Sequence, residues 1–247
     1  MTPLILGLLG FTIVCTSFLS GVFGMAGGMI LLGVLLLVFD VSAAMILLGI
    51  TQFSANGWRV VLWWRFIRWP IFFGYVAGAL VAFAVMRIIS FVPDKVLIYL
   101  ALGIVPFAVE LIPASWRPNI EWRGIPFVTG FLMTVLQLVA GIGGTFLDLF
   151  FQKSTLDRKT TVGTKAVTQA FGHVLRVVYF GSLAASGDVL PLYVYGGAIA
   201  LAIIGTSLGP IVLERLTDAG FRVWTRRIVM LISAVYLIRG IWLWWFD

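Results

Sequence analysis

The chain has few charged residues and almost none of the side chains that build metal centres. Of its 247 residues only 11% are charged, against about 25% in soluble domains, while 61% are hydrophobic. One cysteine, Cys15, and one histidine, His173, exclude an intramolecular disulfide, a thiolate cluster and a multi-histidine metal site. We therefore expect neither a metal nor a cofactor.

Long apolar runs occupy most of the sequence. A helix needs about 20 mostly apolar residues to cross a bilayer, so this length allows roughly eight to ten crossings. The sequence therefore predicts an all-α polytopic membrane protein with a single transmembrane domain over residues 1–247. The apolar segments are 4–23, 28–39, 43–64, 70–91, 96–113, 124–142, 144–152, 160–183, 189–213 and 227–246.

The formal net charge of +7 has two interpretations. A basic chain can bind nucleic acid, but membrane proteins also carry Lys and Arg in their cytoplasmic loops, where these residues orient the protein. Because the chain is so apolar, we favour orientation. The expected partners are thus the lipid bilayer and a small substrate, with no nucleic acid.

Two of the apolar segments, 28–39 and 144–152, are too short for an ordinary crossing. Each follows a glycine cluster, Gly24-Met25-Ala26-Gly27-Gly28 in the first case and Gly141-Ile142-Gly143-Gly144 in the second. Glycine clusters favour a turn or break, and interrupted hydrophobic segments in the two halves of a chain are typical of transporter binding sites.

The two halves of the sequence resemble each other. Five of eleven positions match between residues 51–61 and 168–178 at an offset of 117. The glycine pairs Gly27-Gly28 and Gly143-Gly144 lie 116 residues apart, and Asp40 and Asp157 lie 117 apart. Three matches in the same order indicate an internal duplication, with repeats over 1–115 and 120–247. Each aspartate precedes a helix, so we expect both to be N-caps.

The basic residues decide between parallel and inverted repeats. If each glycine cluster lies within one continuous crossing, the loop cations divide four against nine. If each cluster instead turns a broken or re-entrant hairpin, the division is eleven against two, with only Arg87 and Lys95 on the minor side. The positive-inside rule favours the second arrangement. The sequence thus predicts two inverted repeats, each a hairpin plus three transmembrane helices, with both termini on the outer side.

A polar stripe recurs on the helix that follows each short segment. Its members are Gln52, Asn56 and Arg59 in the first half, and Gln169, His173 and Arg176 in the second. At positions i, i+4 and i+7 each trio covers an arc of about 60° over about 10 Å of helix. An arginine inside the bilayer normally faces a cavity or a partner. The alternatives are that the arginines snorkel to an interface, or pair with Asp148 or Glu110.

The starts of the short helices provide a second candidate element. If both are re-entrant, the amides of Gly27, Gly28, Gly143 and Gly144 direct two positive dipole ends towards one central region. Two arginines beside two such ends suit an anion. The alternative is that these glycines only permit close helix packing.

Lys165 is a further candidate for substrate binding, since it lies just inside a helix and could line a vestibule; snorkelling to the basic face is the alternative. Asp148 has no acidic counterpart in the first half and could pair with Lys153 or Lys165. Asp148 and His173 are the candidates for proton relay. The chain has no phosphate-binding P-loop and no hydrolase or zinc-protease motif, so we expect no enzymatic activity.

With these motifs in view, the chain resembles the sulfite exporter (TauE/SafE) family of bacterial membrane permeases. That family carries a Gly-x-Gly-Gly motif near the start of each half, which Gly141-Ile142-Gly143-Gly144 matches, followed about twenty residues later by Gly163-Thr164-Lys165. The resemblance covers essentially the whole chain. It implies movement of small sulfur-containing anions, such as sulfite or sulfonates, across a bacterial inner membrane.

The resulting hypothesis is a secondary transporter for small anions with alternating access around a midplane site. A passive anion channel is the first alternative. A membrane-embedded enzyme using Asp148, His173 and Lys165 is the second. The sequence leaves open the substrate, the direction of transport and the coupling ion. It also leaves open the oligomeric state, for which a homo-oligomer is one alternative.

Overall fold

A computed structural model describes residues 1–23, 26–141, 143–184, 189–213 and 218–246. Over these residues the chain is helical with no strand, which confirms the all-α prediction. Two short 3-10 helices, Trp64–Phe66 and Ala114–Trp116, lie in the connections. Within the described ranges the α-helices are α1 Pro3–Phe23, α2 Ala26–Val38, α3 Val41–Trp63, α4 Trp69–Ile89, α5 Lys95–Leu111, α6 Ile125–Ala140, α7 Gly144–Phe151, α8 Arg158–Leu183, α9 Leu192–Leu213 and α10 Asp218–Phe246.

The long apolar helices identify a membrane protein. Among the described residues four helices, α1, α4, α9 and α10, are long and apolar enough to cross a bilayer. Helices α3 and α8, with 23 and 26 residues, are also long enough, but each carries its polar stripe. Large apolar side chains such as Leu4, Phe11 and Ile88 are exposed, as a lipid environment requires. The prediction of a polytopic membrane protein is confirmed.

The short segments form short helices, because the glycine clusters interrupt the apolar runs. Helix α2 has 13 residues and α7 has 8, both well below the length of a crossing. Helix α6 ends at Gly141, whose φ of +68° is a left-handed conformation that glycine adopts without strain. The rest of the predicted turns, at residues 24–25 and 142, lies outside the described residues.

Helices α3 and α8 pack against each other along most of their length and run antiparallel. Gly49 of α3 contacts Val177, while the other end of α3 meets the start of α8, where Gly163 contacts Trp63. A Cβ atom at Gly163 would lie 3.0 Å from the Trp63 carbonyl oxygen, so glycine permits this approach. The two polar stripes thus lie on neighbouring helices at the centre of the bundle.

The remaining strong contacts join the halves of the chain. Helix α1 packs parallel to α9 and α4 packs parallel to α6, through backbone contacts at Gly21 and Gly209 in one case and Gly78 and Gly130 in the other. Small residues allow such close approach between membrane helices. Helix α5 runs antiparallel to α10, with Gly103 against Leu237.

Several basic loops meet at one end of the bundle. The backbone N–H of Arg68 donates to the Thr164 hydroxyl at 2.9 Å, which joins the α3–α4 connection to the start of α8. The N–H of Ile120 donates to the Phe150 carbonyl at 2.8 Å, so the loop before α6 contacts the end of α7. We call the end of the bundle that carries these connections, residues 64–68, 112–124 and 152–157, the basic end. Arg215, one of the predicted loop cations, lies outside the described residues.

The two aspartates before α3 and α8 behave differently. The Asp157 carboxylate accepts hydrogen bonds from the N–H groups of Lys159 and Thr160, at 2.9 and 3.1 Å, and caps α8 as predicted. A hydrogen bond from the Thr160 hydroxyl holds the pKa of Asp157 below its usual value. Asp40 stands at the N-cap position of α3, but its side chain makes no capping bond. The expectation of a side-chain cap is therefore wrong for Asp40.

Candidate functional site

The polar stripe of α8 lies deep in the protein. His173 and Gln169 are buried, and Arg176 is 0% exposed, so its guanidinium does not snorkel to an interface. The backbone of α3 approaches this face, because Gly49 lies against the His173 carbonyl and the Arg176 side chain. The antiparallel packing of α3 on α8 thus places these polar side chains within the bundle.

Arg176 has fewer hydrogen bonds than its five N–H groups require. One nitrogen, Nη2, donates to the backbone carbonyl of Gln137 at 3.3 Å. The other two, Nε and Nη1, have no hydrogen-bond partner among the described residues. The Tyr75 hydroxyl is close enough to interact electrostatically with this guanidinium. A buried charge is stable only when paired or well hydrogen-bonded, so these free donors favour an anionic ligand.

Gln137 of α6 is a site residue that sequence reasoning missed. Its side-chain nitrogen lies 2.9 Å from Nδ1 of His173. Its backbone carbonyl oxygen accepts the hydrogen bond from Nη2 of Arg176. Its side-chain oxygen packs directly on Gly172, where any Cβ atom would collide with it. The available signal was a lone glutamine in the apolar helix that leads to the second glycine cluster.

The first half has a related but simpler arrangement. The Asn56 side-chain nitrogen donates to the Gln52 carbonyl at 2.8 Å, and Nη2 of Arg59 donates to the Asn56 side chain at 2.7 Å. Arg59 is half-buried, and its Nε lacks a hydrogen-bond partner within the described part of the chain. The same is true of Nε2 of Gln52. The stripe of α3 therefore also presents free donors.

Each short helix begins beside one of these glutamines. A Cβ atom at Gly28, in the first turn of α2, would lie 3.3 Å from the Gln52 amide carbon. A Cβ atom at Gly143, which precedes α7, would lie 3.9 Å from Nε2 of Gln137. The starts of α2 and α7 thus lie near the polar stripes, as an anion site at two helix N-termini requires.

The other two glycines of the predicted set have different surroundings. Gly27 packs on α1 so closely that a Cβ atom would overlap the Thr16 carbonyl and the Ser20 hydroxyl. Its lack of a side chain is needed for the contact between α1 and α2. Gly144 is the first residue of α7 and is half-buried.

Lys165 forms an ion pair with Asp148 of α7. This was one of the two pairings that the sequence left open. The alternative in which Asp148 or Glu110 pairs with Arg59 or Arg176 is not what the structure contains, because Glu110 pairs with Arg226 at 2.9 Å. Lys165 also lies close enough to the Arg59 guanidinium to interact with it electrostatically.

Arg59 connects the two stripes, since it also interacts electrostatically with His173. Arg59 thus lies within electrostatic range of both Lys165 and His173, and His173 lies within range of Arg176, so these groups form a chain along α3 and α8 in which Asp148 is the acid paired with Lys165. In the described residues no group of three His, Cys, Asp or Glu side chains is placed to hold a metal ion. The region is suited to binding an anion through charge and hydrogen bonds.

Fold and site together define a polytopic membrane protein with a buried cationic region between two halves. The family model described as Sulfite exporter TauE/SafE matches residues 9–237, nearly the whole chain. The chain therefore belongs to the sulfite exporter TauE/SafE family of membrane transporters. No curated protein and no solved structure gives a significant match.

Proposed function

We propose that the protein is a secondary transporter that moves small sulfur-containing anions, such as sulfite or a sulfonate, by alternating access. The observation that carries this proposal is Arg176, a fully buried arginine with two guanidinium nitrogens that lack protein partners in the described residues. A guanidinium presents a planar fork of donors that matches the oxygens of an oxyanion. Family membership supports sulfur as the central atom of that anion.

The charges around Arg176 also favour an anion. Arg59 interacts electrostatically with both Lys165 and His173, Arg176 interacts with His173 as well, and Asp148 neutralises Lys165. Desolvated like charges repel one another strongly, so a bound anion stabilises the group as a whole. The free side-chain nitrogen of Gln52, together with the side chains of Gln137 and His173, would orient its oxygens.

The helix directions support inverted repeats over 1–115 and 120–247. In this division α3 is equivalent to α8 and α5 to α10, and each of these pairs runs antiparallel. The same division makes α1 equivalent to α6 and α9 equivalent to α4, so the α1–α9 pair corresponds to the α6–α4 pair. Both pairs are parallel, as this equivalence requires. Inverted repeats place a substrate site at the midplane, where one bundle rocks against another.

The same arrangement supports the orientation that the basic loops indicate. The basic end would face the cytoplasm of a bacterial cell, and both termini would lie on the outer side of its inner membrane. Single cysteines introduced at the two ends, followed by labelling of intact cells with a membrane-impermeant reagent, test this. Labelling of the basic end from outside would contradict it.

The transport proposal is tested with purified protein in proteoliposomes loaded with sulfite or methanesulfonate. Arg176→Gln removes the charge and three of the five N–H donors, and a hydrogen bond to a charged group contributes about 1.5–3 kcal/mol. We therefore expect affinity to fall by about 10- to 100-fold, with a comparable loss of flux at low substrate concentration. Saturable flux with counterflow would exclude the passive-channel alternative.

The matched control is Arg239→Gln. Arg239 is also an arginine within a transmembrane helix with a buried Nε, but it stacks on the ring of Trp242, with its guanidinium carbon 4.6 Å from the ring centroid. We expect this variant to bind and transport normally. Equal flux for wild type and both variants would refute the site, and absence of any saturable flux in the wild type would refute the function.

A further inference from the structure

A cavity opens at the basic end between α5, α7, α8 and α10. Its volume is about 580 Å³, enough for a small anion with several waters. Its charged lining residues are Glu110, Arg117, Asp148, Lys165 and Arg226. The Asp148–Lys165 pair lines this cavity, and Lys165 also lies within electrostatic range of Arg59, a member of the polar stripe of α3.

The pair is reachable from the cavity. The side chains of Lys165 and Asp148 are 21% and 23% exposed, so neither is sealed in the core. Solvent that enters the cavity from the basic end can therefore supply or remove a proton at the Asp148 carboxylate. An ionisable residue within the membrane that faces a cavity is a functional residue by default.

The other charges of the cavity have their own partners. Glu110 accepts from Arg226 at 2.9 Å, and Arg117 donates to the Ile112 carbonyl at 3.1 Å and to the Gln152 side chain. The three cations and two acids leave one net positive charge. Lys165 is thus the cation of this lining that joins the cavity to the central site, and Asp148 competes with any anion for it.

We propose that Asp148 binds the proton that travels with the transported anion. On the cavity side of the path to Arg176, which lies eleven residues further along α8, the anion takes the place of the Asp148 carboxylate at Lys165. Two negative charges then lie side by side. That proximity favours protonation of the carboxylate. One proton from the cavity is then bound to Asp148 for each anion that binds, and no bond other than this O–H is formed. This inference rests on the proposed function.

The Asp148–Lys165 pair is present in the second half of the chain only. At the offset that aligns the stripes, Asp148 and Lys165 correspond to Leu31 and Leu48, and both leucines are almost completely buried. The first half therefore packs an apolar core where the second half has a partly exposed ion pair. Proton loading in this conformation occurs from the basic end.

The test measures protons taken up on anion binding, using calorimetry in buffers of different ionisation enthalpy. The probes are methanesulfonate, which stays fully ionised, and sulfite above its second ionisation. We expect about one proton per anion for the wild type and none for Asp148→Asn, which should still bind. In proteoliposomes, one proton and one methanesulfonate carry no net charge together, so a difference of one pH unit should drive about tenfold accumulation of methanesulfonate in the wild type and none in the variant.

Glu110→Gln is the matched control, because it removes the other acid of the same cavity and should keep proton uptake and accumulation. Wild-type binding without proton uptake would overturn the inference whatever the variants do. Loss of proton uptake in Glu110→Gln but not in Asp148→Asn would overturn the assignment to Asp148. If the wild type binds neither probe, the proposed function fails together with this inference.

Discussion

Replacement of the Arg176 guanidinium by an apolar side chain should abolish anion binding and at the same time raise the stability of the ligand-free protein. Nε and Nη1 are buried and lack partners in the part of the chain that the structure describes. Each unsatisfied donor costs about 1–3 kcal/mol, and more where the group is charged. The one hydrogen bond, from Nη2 to the Gln137 carbonyl, offsets about 1.5–3 kcal/mol. Replacing the guanidinium by an apolar side chain of similar length should therefore stabilise the ligand-free protein.

We expect Arg176→Met to raise the free energy of unfolding by about 1–3 kcal/mol, since buried charges are often replaced by apolar groups with a gain of this order. For a chain of this length that corresponds to roughly 2–12 °C in Tm. The assay is thermal unfolding in detergent, with and without saturating sulfite. Sulfite should raise the Tm of the wild type through mass action and leave the variant unchanged.

The reasoning has a clear refutation. If Arg176→Met lowers the Tm as a core cavity would, and sulfite still raises it, then Arg176 is a structural group whose charge is satisfied without a ligand. Arg239→Met provides the comparison. Its cation–π contact with Trp242 contributes about 0.5–2 kcal/mol, which is of the same order as the cost of Nε, its one buried nitrogen without a partner in the described residues, so this variant should change little in stability and keep the response to sulfite.

Two further predictions concern the surroundings of the site. Gly172→Ala should displace the Gln137 side chain from His173 and weaken sulfite binding by about tenfold, a loss of one hydrogen bond; unchanged affinity by calorimetry would show that this amide does not position the ligand. Because the pKa of Asp157 is lowered, its cap stabilises α8 above the ordinary carboxylate pKa of about 3.9 and loses this contribution as pH falls through the lowered value. Wild type should thus exceed Asp157→Ala in Tm at neutral pH, with the difference shrinking in acid; a constant difference would contradict the assignment.

The sequence predicted the helices well because local signals determine them. The glycine clusters interrupt apolar runs, so the segments 28–39 and 144–152 closely match α2 and α7. The two stripes follow from helical spacing alone, and their placement on adjacent buried helices agrees with that pattern. The sequence offered Lys153 and Lys165 as partners of Asp148, and the structure selects Lys165.

Other features depend on contacts between distant elements and could not be read from local patterns. Gln137 is one residue on an apolar helix, and nothing in its neighbourhood indicates that it faces His173. The position of Asp40 before α3 resembles that of Asp157, yet only Asp157 makes the capping bonds. The cavity at the basic end likewise requires four helices from both halves.

The exchange of partners between the halves has a consequence for biosynthesis. Helix α1 packs most extensively on α9, which is translated some 180 residues later. Until α9 has been synthesised, the face of α1 around Gly21 lacks its packing partner. That face is then in contact with lipid or with the insertion machinery. The first half made alone would lack the surface of α9 and that of α8 as well. Assembly is thus expected to complete only near the end of translation, and a ribosome stalled before α9 would leave a product in which α1 lacks its main packing partner.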